Sequence, residues 1–248
     1  MAAAELDLSD IQGDVLRAYG NDYAYTTYLF VHIEDAQGGR TWLRDLLPRV
    51  TTAEPWPQAG KPETALNIAI AAPALEALGA GDTKQLGFSA EFCAGMAASA
   101  ATLGDSGPSD PQGWEHGLHD RALHVLATVN ARSEDALRAE LARLRDGAAH
   151  AGGVTVAYEQ PAKLLPGARE HFGYADGFAQ PAVAGVDDDT DRRVGGGVLE
   201  HGGGWRALAP GALASKRSGG ASGQVTNGAP VRQRPTTLAA SFSWSPPS

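Results

Sequence analysis

The alternation of apolar and polar positions in the first part of the chain predicts strands that alternate with helices. Four runs are rich in β-branched and aromatic residues, which is typical of strands. The predicted strands are Tyr25–Ile33, Ala65–Ile70, Leu123–Val129 and Val154–Tyr158. Spacing and composition predict three helices between these strands, and the helix nearest the C-terminus is rich in alanine, which favours helix formation. The predicted helices are Thr41–Leu47, Ala74–Leu78 and Glu91–Leu103.

The clearest helix pattern begins after Ser133, whose hydroxyl is a good cap for a first turn. Leu137, Leu141 and Leu144 recur at helical spacing and form one apolar stripe, and Gly147 is the predicted end. Strands and helices therefore follow one another as two strand–helix–strand units. This order predicts an α+β fold of the ferredoxin-like, dimeric α/β-barrel type, in which an antiparallel sheet carries its helices on one face.

Composition narrows the class of protein. The chain has 248 residues, of which 43% are apolar, as in a globular protein, and its net charge of −9 argues against general nucleic-acid binding. No apolar run reaches the length of a membrane span, and the N-terminus lacks the pattern of a signal peptide. Cys93 is the single cysteine and is interpreted as a small buried hydrophobe. These features predict a cytoplasmic protein.

An acidic cluster has part of the pattern of a calcium-binding loop. Asp187, Asp189 and Asp191 have the correct alternate spacing. However, Arg192 and Val198 stand where such a loop needs its glycine and its glutamate. A solvated acidic loop is therefore the favoured interpretation.

Histidine and glycine clusters also lack what their chemistry requires. His116 and His119 could share one helical turn, with His124 close behind, but no third carboxylate or HExxH pattern accompanies them. Surface or structural histidines are favoured, and no metal site is predicted. Gly195–Gly197 and Gly202–Gly204 match neither a P-loop nor a dinucleotide fingerprint, which favours flexible loops.

The stretch HFGYADGFAQP, residues 171–181, places Asp176 between two glycines and among aromatic side chains. One interpretation is a turn in which the Asp176 carboxylate caps a backbone amide. The other is a carboxylate in an apolar pocket, where the pKa rises unless hydrogen bonds or a cation compensate. A carboxyl group of that kind is suited to general acid/base catalysis.

The Gly-x-x-Asp-Gly of residues 173–177, followed by Gln180-Pro181, resembles the signature of the dye-decolorizing peroxidases. Further segments resemble the first domain of that family, in the same order along the chain. They are residues 10–16, 66–69, 75–79, 91–105 and 124–126. The resemblance extends over roughly residues 6–211, and the ordered set of segments is far more specific than the motif alone.

The resemblance implies a haem b enzyme built from two ferredoxin-like domains. Hydrogen peroxide would be the oxidant, and bulky phenols and dyes the reductants, with a homo-oligomer possible. Asp176 would be the distal acid/base, and the residues that contact haem would be Gly173, Tyr174, Ala175, Asp176 and Gly177. The predicted domains are 1–165, a ferredoxin-like domain; 166–211, the start of an incomplete second, haem-binding domain; and 212–248, an aberrant tail.

The sequence departs from the family after Gly211. His201 is the only histidine that follows the motif, and it comes too early to match the family's proximal ligand. Residues 212–248 hold four basic and no acidic residues, and they are predicted to be disordered. We hypothesise a reading frame shifted near residue 211, which sequencing the gene there would test. The chain as written is accordingly expected to show little peroxidase turnover.

Two functions remain open on this basis. The first is a haem-dependent peroxidase. The second is a ferredoxin-like binding or interaction module that holds no haem.

Overall fold

The computed structural model of the chain describes residues 6–16, 19–56, 60–115, 118–119, 122–167, 169, 171–175, 181–186 and 197–209. These residues divide into two compact units, Gln12–Leu164 and the pair of segments 6–11 and 165–209. The domain boundaries predicted from the sequence stay predictions. Several predicted features lie outside the described residues: Asp176, Gly177, the acidic residues Asp187, Asp189 and Asp191, His116, and the tail 212–248.

The larger unit is built on a four-stranded antiparallel sheet. Its strands are β1 (Tyr25–Ile33), β2 (Thr64–Ile70), β3 (Val125–Ala131) and β4 (Val154–Lys163). Their order in the sheet is β2-β3-β1-β4, so each strand–helix–strand unit spans one intervening strand. This is the ferredoxin-like topology, and the predicted fold class is confirmed. All four predicted strands are present, and β1 has the predicted bounds.

Short and long helices join these strands. The α-helices are α1 (Gly13–Leu16), α2 (Ala36–Leu46), α3 (Ala72–Ala77), α4 (Ala90–Ala94), α5 (Ala100–Leu103) and α6 (Glu134–Ala151). Single 3₁₀ turns lie at Leu8–Asp10, Gly20–Asp22, Leu47–Arg49, Ala97–Ser99, Gly107–Ser109 and Pro111–Gly113. Among the described residues, no helix combines the length and apolar character needed to cross a membrane.

The core lies between one face of the sheet and helices α2 and α6. Alternate residues of β1 point into it, as the two-residue period of a strand requires. Trp42 of α2 is almost fully buried there, and its indole N–H donates to the carbonyl of Leu144 on α6 at 3.4 Å. The cluster consists of Leu29, Val31, Ile33, Trp42, Leu46, Leu66, Val125, Ala127, Val129, Leu141, Leu144, Ala148 and Val154.

Glycine explains where the helix predictions differ from the structure. The predicted helix Glu91–Leu103 is wrong as a single element, because Gly95 has a φ of +82° and separates α4 from α5. The predicted end at Gly147 is also wrong, since that glycine stays helical beside the Trp42 ring. Helix α6 ends instead before Gly152, whose φ is +73°.

In the smaller unit, the predicted flexible loop Gly202–Gly204 is the turn of a short hairpin. Strand β5 (Val198–Leu199) pairs antiparallel with strand β6 (Trp205–Arg206). Gly197 explains the close approach there, because a Cβ on it would lie 2.0 Å from the backbone oxygen of Arg206. The local pairing was not predicted because two residues are too few to show a period.

Gln12 covers the outer edge of β2 with its side-chain amide. Its Nε2 donates to the carbonyl of Ile68 at 2.7 Å, and its Oε1 accepts from the amide of Ile68 at 2.7 Å. The carboxamide therefore takes the place of a neighbouring strand at this position. The next residue, Gly13, donates its amide to the carbonyl of Thr51 at 2.9 Å. These bonds give a structural reason for the Gln-Gly pair in the N-terminal segment.

Replacing Gln12 by Leu is expected to lower the free energy of unfolding by about 2–3 kcal/mol, because two part-buried backbone groups lose their partner. Urea denaturation followed by circular dichroism measures the change. The matched control is Gln37→Leu, on the exposed surface of α2, which should change stability by less than about 0.5 kcal/mol. Equal effects of the two substitutions would contradict the edge-covering role.

Candidate functional site

The first half of the GxxDG motif forms a braced turn in the smaller unit. The backbone of Arg169 makes antiparallel bridges to Leu165 on one side and to Ala175 on the other. The Arg169 side chain also donates from Nη1 to the carbonyl of Gly173 at 2.8 Å. Gly173 has a φ of +88°, a left-handed conformation that favours glycine. The turn therefore combines a glycine conformation with a side-chain brace.

Two aromatic rings flank Gly173 and extend into solvent. The exposed fraction is 80% for Phe172 and 74% for Tyr174. A Cβ placed on Gly173 would meet no atom closer than 4 Å. Large exposed aromatic side chains next to open space are typical of a surface that contacts a ligand or another part of a protein.

The structure brings together part of the predicted site. Gly173, Tyr174 and Ala175 share the braced turn, whereas Asp176 and Gly177 follow it outside the described residues. The position of the predicted acid/base therefore stays a prediction. Ala175, the residue immediately before Asp176, makes a backbone bridge to Arg169.

His201 lies in the exposed turn between β5 and β6. The turn is closed by the amide of Glu200, which donates to the carbonyl of Gly204 at 2.8 Å. Arg206 pairs with the Glu200 carboxylate at 3.5 Å across the same hairpin. These contacts are sufficient to explain the shape of the hairpin. None of them joins the hairpin to the motif turn, so they do not place His201 beside it.

A pair of histidines in the larger unit has a structural role. The rings of His32 and His124 stack with their centroids 4.8 Å apart. His124 Nδ1 accepts from the amide of Ile33 at 3.0 Å, and His32 Nδ1 donates to the carbonyl of Ala122 at 2.6 Å. The interpretation of His124 as a structural histidine is confirmed. Among the described residues, no group of three His, Cys, Asp or Glu side chains is placed to hold a metal ion.

The sheet face opposite α2 and α6 carries aromatic side chains of β1 and β4. Phe30 and Tyr158 stack there with ring centroids 5.6 Å apart. Burial raises the pKa of the Tyr28 hydroxyl above its ordinary value, because the charged phenolate is disfavoured away from water. Cys93 lies in the same unit but away from this sheet face. Its side chain is buried, and its Sγ lies 4.0 Å from the carbonyl oxygen of Phe88. The interpretation of Cys93 as a small buried hydrophobe is confirmed.

Comparison with known proteins identifies the class. The family model described as the DyP dimeric alpha+beta barrel domain matches residues 10–164, which is more than half of the chain. The chain therefore belongs to the dye-decolorizing peroxidase family. The match coincides with the ferredoxin-like unit described above.

Named relatives support the same family. A dye-decolorizing peroxidase of Mycena epipterygia is 31% identical over 188 residues, which are 74% of this chain and 34% of the relative. The multifunctional dye peroxidase DyP2 of Amycolatopsis sp. is 30% identical over 212 residues, or 82% of this chain and 43% of the relative. The chain thus spans well under half the length of these relatives.

Solved structures agree with the sequence comparisons. A dye-decolorizing peroxidase in complex with 2,6-dimethoxyphenol matches with a TM-score of 0.68 and 25% identity, over 86% of this chain and 45% of that one. A fungal DyP-type peroxidase from Auricularia auricula-judae matches with a TM-score of 0.66 and 27% identity, over 81% and 44%. These relatives are peroxidases, and the chain shares the fold of the part of them that it matches.

Proposed function

We propose that the function of the protein is that of a haem-dependent peroxidase of the dye-decolorizing type, which reduces hydrogen peroxide and oxidises dyes and phenolic compounds, while the chain as written is expected to show little turnover of its own. The observation that carries the proposal is the braced turn at Gly173, which leads into the motif Asp of a chain that belongs to this family. The relative solved with 2,6-dimethoxyphenol supports a phenolic reductant.

The residues of the motif turn fit the distal side of a haem b. Open space adjoins Gly173, and the exposed rings of Phe172 and Tyr174 offer apolar surface to a flat macrocycle. In the proposal, Gly173, Tyr174, Ala175, Asp176 and Gly177 contact the haem. When bound, the haem supplies the iron that takes up peroxide and the electron-transfer chemistry. None of the described histidines is assigned as the iron ligand.

Asp176 is proposed to act as the acid/base. Cleavage of the peroxide O–O bond requires that a proton leave one oxygen and reach the other, so that the departing oxygen leaves as water. A carboxylate accepts that proton and then donates it, because its ordinary pKa of about 4 lies near an acidic working pH. The remaining electrons and protons come from the aromatic reductant, which is oxidised one electron at a time.

A non-catalytic binding module is the second candidate. It is favoured by the larger unit, which has its own continuous hydrophobic core. Such a module would use the ferredoxin-like unit for binding and would hold no haem. The two candidates differ in one measurable property, peroxide-dependent oxidation of a dye.

The test uses a chimaera in which residues 1–209 are followed by the part of the Amycolatopsis DyP2 relative that lies beyond the matched region. With hemin and hydrogen peroxide, it should decolorise an anthraquinone dye at least about 10²-fold faster than free hemin, the usual scale of a catalytic contribution. A folded chimaera that takes up no hemin and decolorises the dye no faster than free hemin would favour the non-catalytic module.

A further inference from the structure

A cavity of about 1060 Å³ lies in the larger unit, between helix α3, the loop that follows it and helix α4. Its volume is close to the upper limit for small-molecule sites, about 1000 Å³. The amide of Gly79, which has a φ of +73°, donates to the carbonyl of Glu76 at 2.9 Å where α3 ends. The Ser89 hydroxyl caps α4 by accepting from the amide of Phe92 at 3.2 Å. The chain's own hydrogen bonds thus hold both walls of the cavity.

A buried hydroxyl in the lining of this cavity has unused hydrogen-bonding capacity. Thr83 is 2% exposed, and its Oγ1 donates to Oε1 of Glu76 over 3.5 Å. A well-formed bond between a hydroxyl and an oxygen is about 2.5–3.0 Å long, so this contact is weak. A hydroxyl oxygen can also accept hydrogen bonds, and no described residue donates to this one. Buried hydroxyls normally have a closer partner, which a ligand in the cavity would supply.

Two carboxylates give the cavity an excess of negative charge. Glu76 has only the long contact from Thr83, and Asp82 accepts from the amide of Lys84 at 2.9 Å. Neither carboxylate forms an ion pair with any described residue. The described lining includes one ammonium group, that of Lys84, against these two carboxylates. The charge of the lining therefore favours a cationic ligand.

Apolar surface adjoins these polar groups. Phe88 lines the cavity, and its ring lies 4.8 Å from that of Phe92, measured between centroids. Ala90 and Ala94 of α4 belong to the same lining. An aromatic face attracts a cation and also packs against another flat ring.

We propose that this cavity binds a small organic cation, in which a primary ammonium group is attached to an aromatic body. The three donors of the ammonium group match the oxygen acceptors of Glu76, Asp82 and Thr83. The aromatic body packs against Phe88, as in other pockets where a few polar groups orient an apolar ligand. No residue of the motif turn belongs to the described lining, so the site is additional to the proposed haem site.

The test uses the full 248-residue chain without haem and three probes of similar size. They are 2-phenylethylammonium, the neutral 2-phenylethanol and the anionic 3-phenylpropanoate. Calorimetric titration measures each affinity, and amide chemical shifts in NMR locate the bound probe. The variants are Glu76→Gln and Thr83→Val, which keep the shapes of their side chains. The matched control is Glu54→Gln, an exposed residue outside the described lining.

The ammonium probe should bind saturably and at least about tenfold more tightly than the alcohol, the scale of a hydrogen bond to a charged group. Its binding should shift the amides of Thr83, Lys84 and Phe88 and leave those of helix α6 unchanged. Glu76→Gln should weaken binding about tenfold, and Thr83→Val should weaken it by a smaller factor, because the lost bond involves a neutral group. Glu54→Gln should bind the probe as the parent does.

Three results would each overturn the proposal. The first is no saturable binding of 2-phenylethylammonium up to millimolar concentration. The second is equal or tighter binding of the alcohol or the anion, because the carboxylates would then give no preference for a cation. The third is amide shifts that lie outside the cavity lining, or an affinity that Glu76→Gln leaves unchanged. Since no measurement involves haem or peroxide, failure here would leave the proposed function untouched.

Discussion

Replacing Asp176 by Asn is expected to slow the reaction of the haem-loaded chimaera with hydrogen peroxide by about 10²–10⁴-fold, the usual weight of general acid/base catalysis. The amide keeps the size of the side chain and its capacity for hydrogen bonding, but it cannot accept and return a proton. Stopped-flow absorbance in the Soret region, with peroxide in excess, measures the rate. The matched control is Asp45→Asn, on the exposed surface of α2, which should leave the rate unchanged.

The pH dependence of the reaction rate tests the role of Asp176 independently. An acid/base must be deprotonated to accept the first proton, so the rate of the parent chimaera should fall as the pH drops below the pKa of Asp176. That loss should be absent from Asp176→Asn, because the group that titrates has been removed. Equal rates for the parent and Asp176→Asn across the acidic range would contradict the assignment of Asp176.

Replacing Gly38 by Ala is expected to lower the free energy of unfolding of the larger unit by about 3 kcal/mol, the top of the usual range for overpacking. A Cβ on Gly38 would lie 1.8 Å from the carbonyl oxygen of Gly152 and 3.0 Å from that of Ala151. Both obstacles are backbone atoms, so no side-chain rotation can relieve the collision. Helix α2 would have to move away from the turn that ends α6. Urea denaturation followed by circular dichroism measures the loss.

Gly147→Ala is the matched control and should have the opposite sign. This glycine also lies in a helix, but its Cβ would sit 3.5 Å from the nearest Trp42 atom, an ordinary contact. Alanine is a better helix former than glycine by up to about 1 kcal/mol, so the variant should be as stable as the parent or more stable. If Gly38→Ala were tolerated equally well, the close approach of α2 to Gly152 would be contradicted.

The strands could be predicted from sequence because each carries its own signal. Tyr25–Ile33 combines β-branched and aromatic residues over nine positions, and β1 has those bounds. The prediction of one helix over Glu91–Leu103 was wrong. Its alanine content favours a helix, but a single residue, Gly95, ends α4. The predicted helix end at Gly147 was wrong in the opposite direction, since α6 continues past this glycine, which lies beside the Trp42 ring.

At the candidate site, the sequence predicted part of the local backbone structure, and the role of the site residues stays a prediction. The glycines of the motif predicted a turn, and Gly173 has the left-handed conformation that such a turn requires. The brace from Arg169 could not be predicted, because its acceptor is a backbone carbonyl and carries no sequence signal. The same limit applies to Gln12, whose partner is the backbone of Ile68, 56 residues away.

Haem stoichiometry is the most direct test of the central claim, that residues up to 209 contribute a haem site of the dye-decolorizing type. The measurement is a hemin titration of the chimaera, with the Soret band recorded at each step and iron determined per chain after gel filtration. The account predicts a Soret band that saturates at one iron per chain and persists through gel filtration. A folded chimaera that leaves the column without iron would contradict the account.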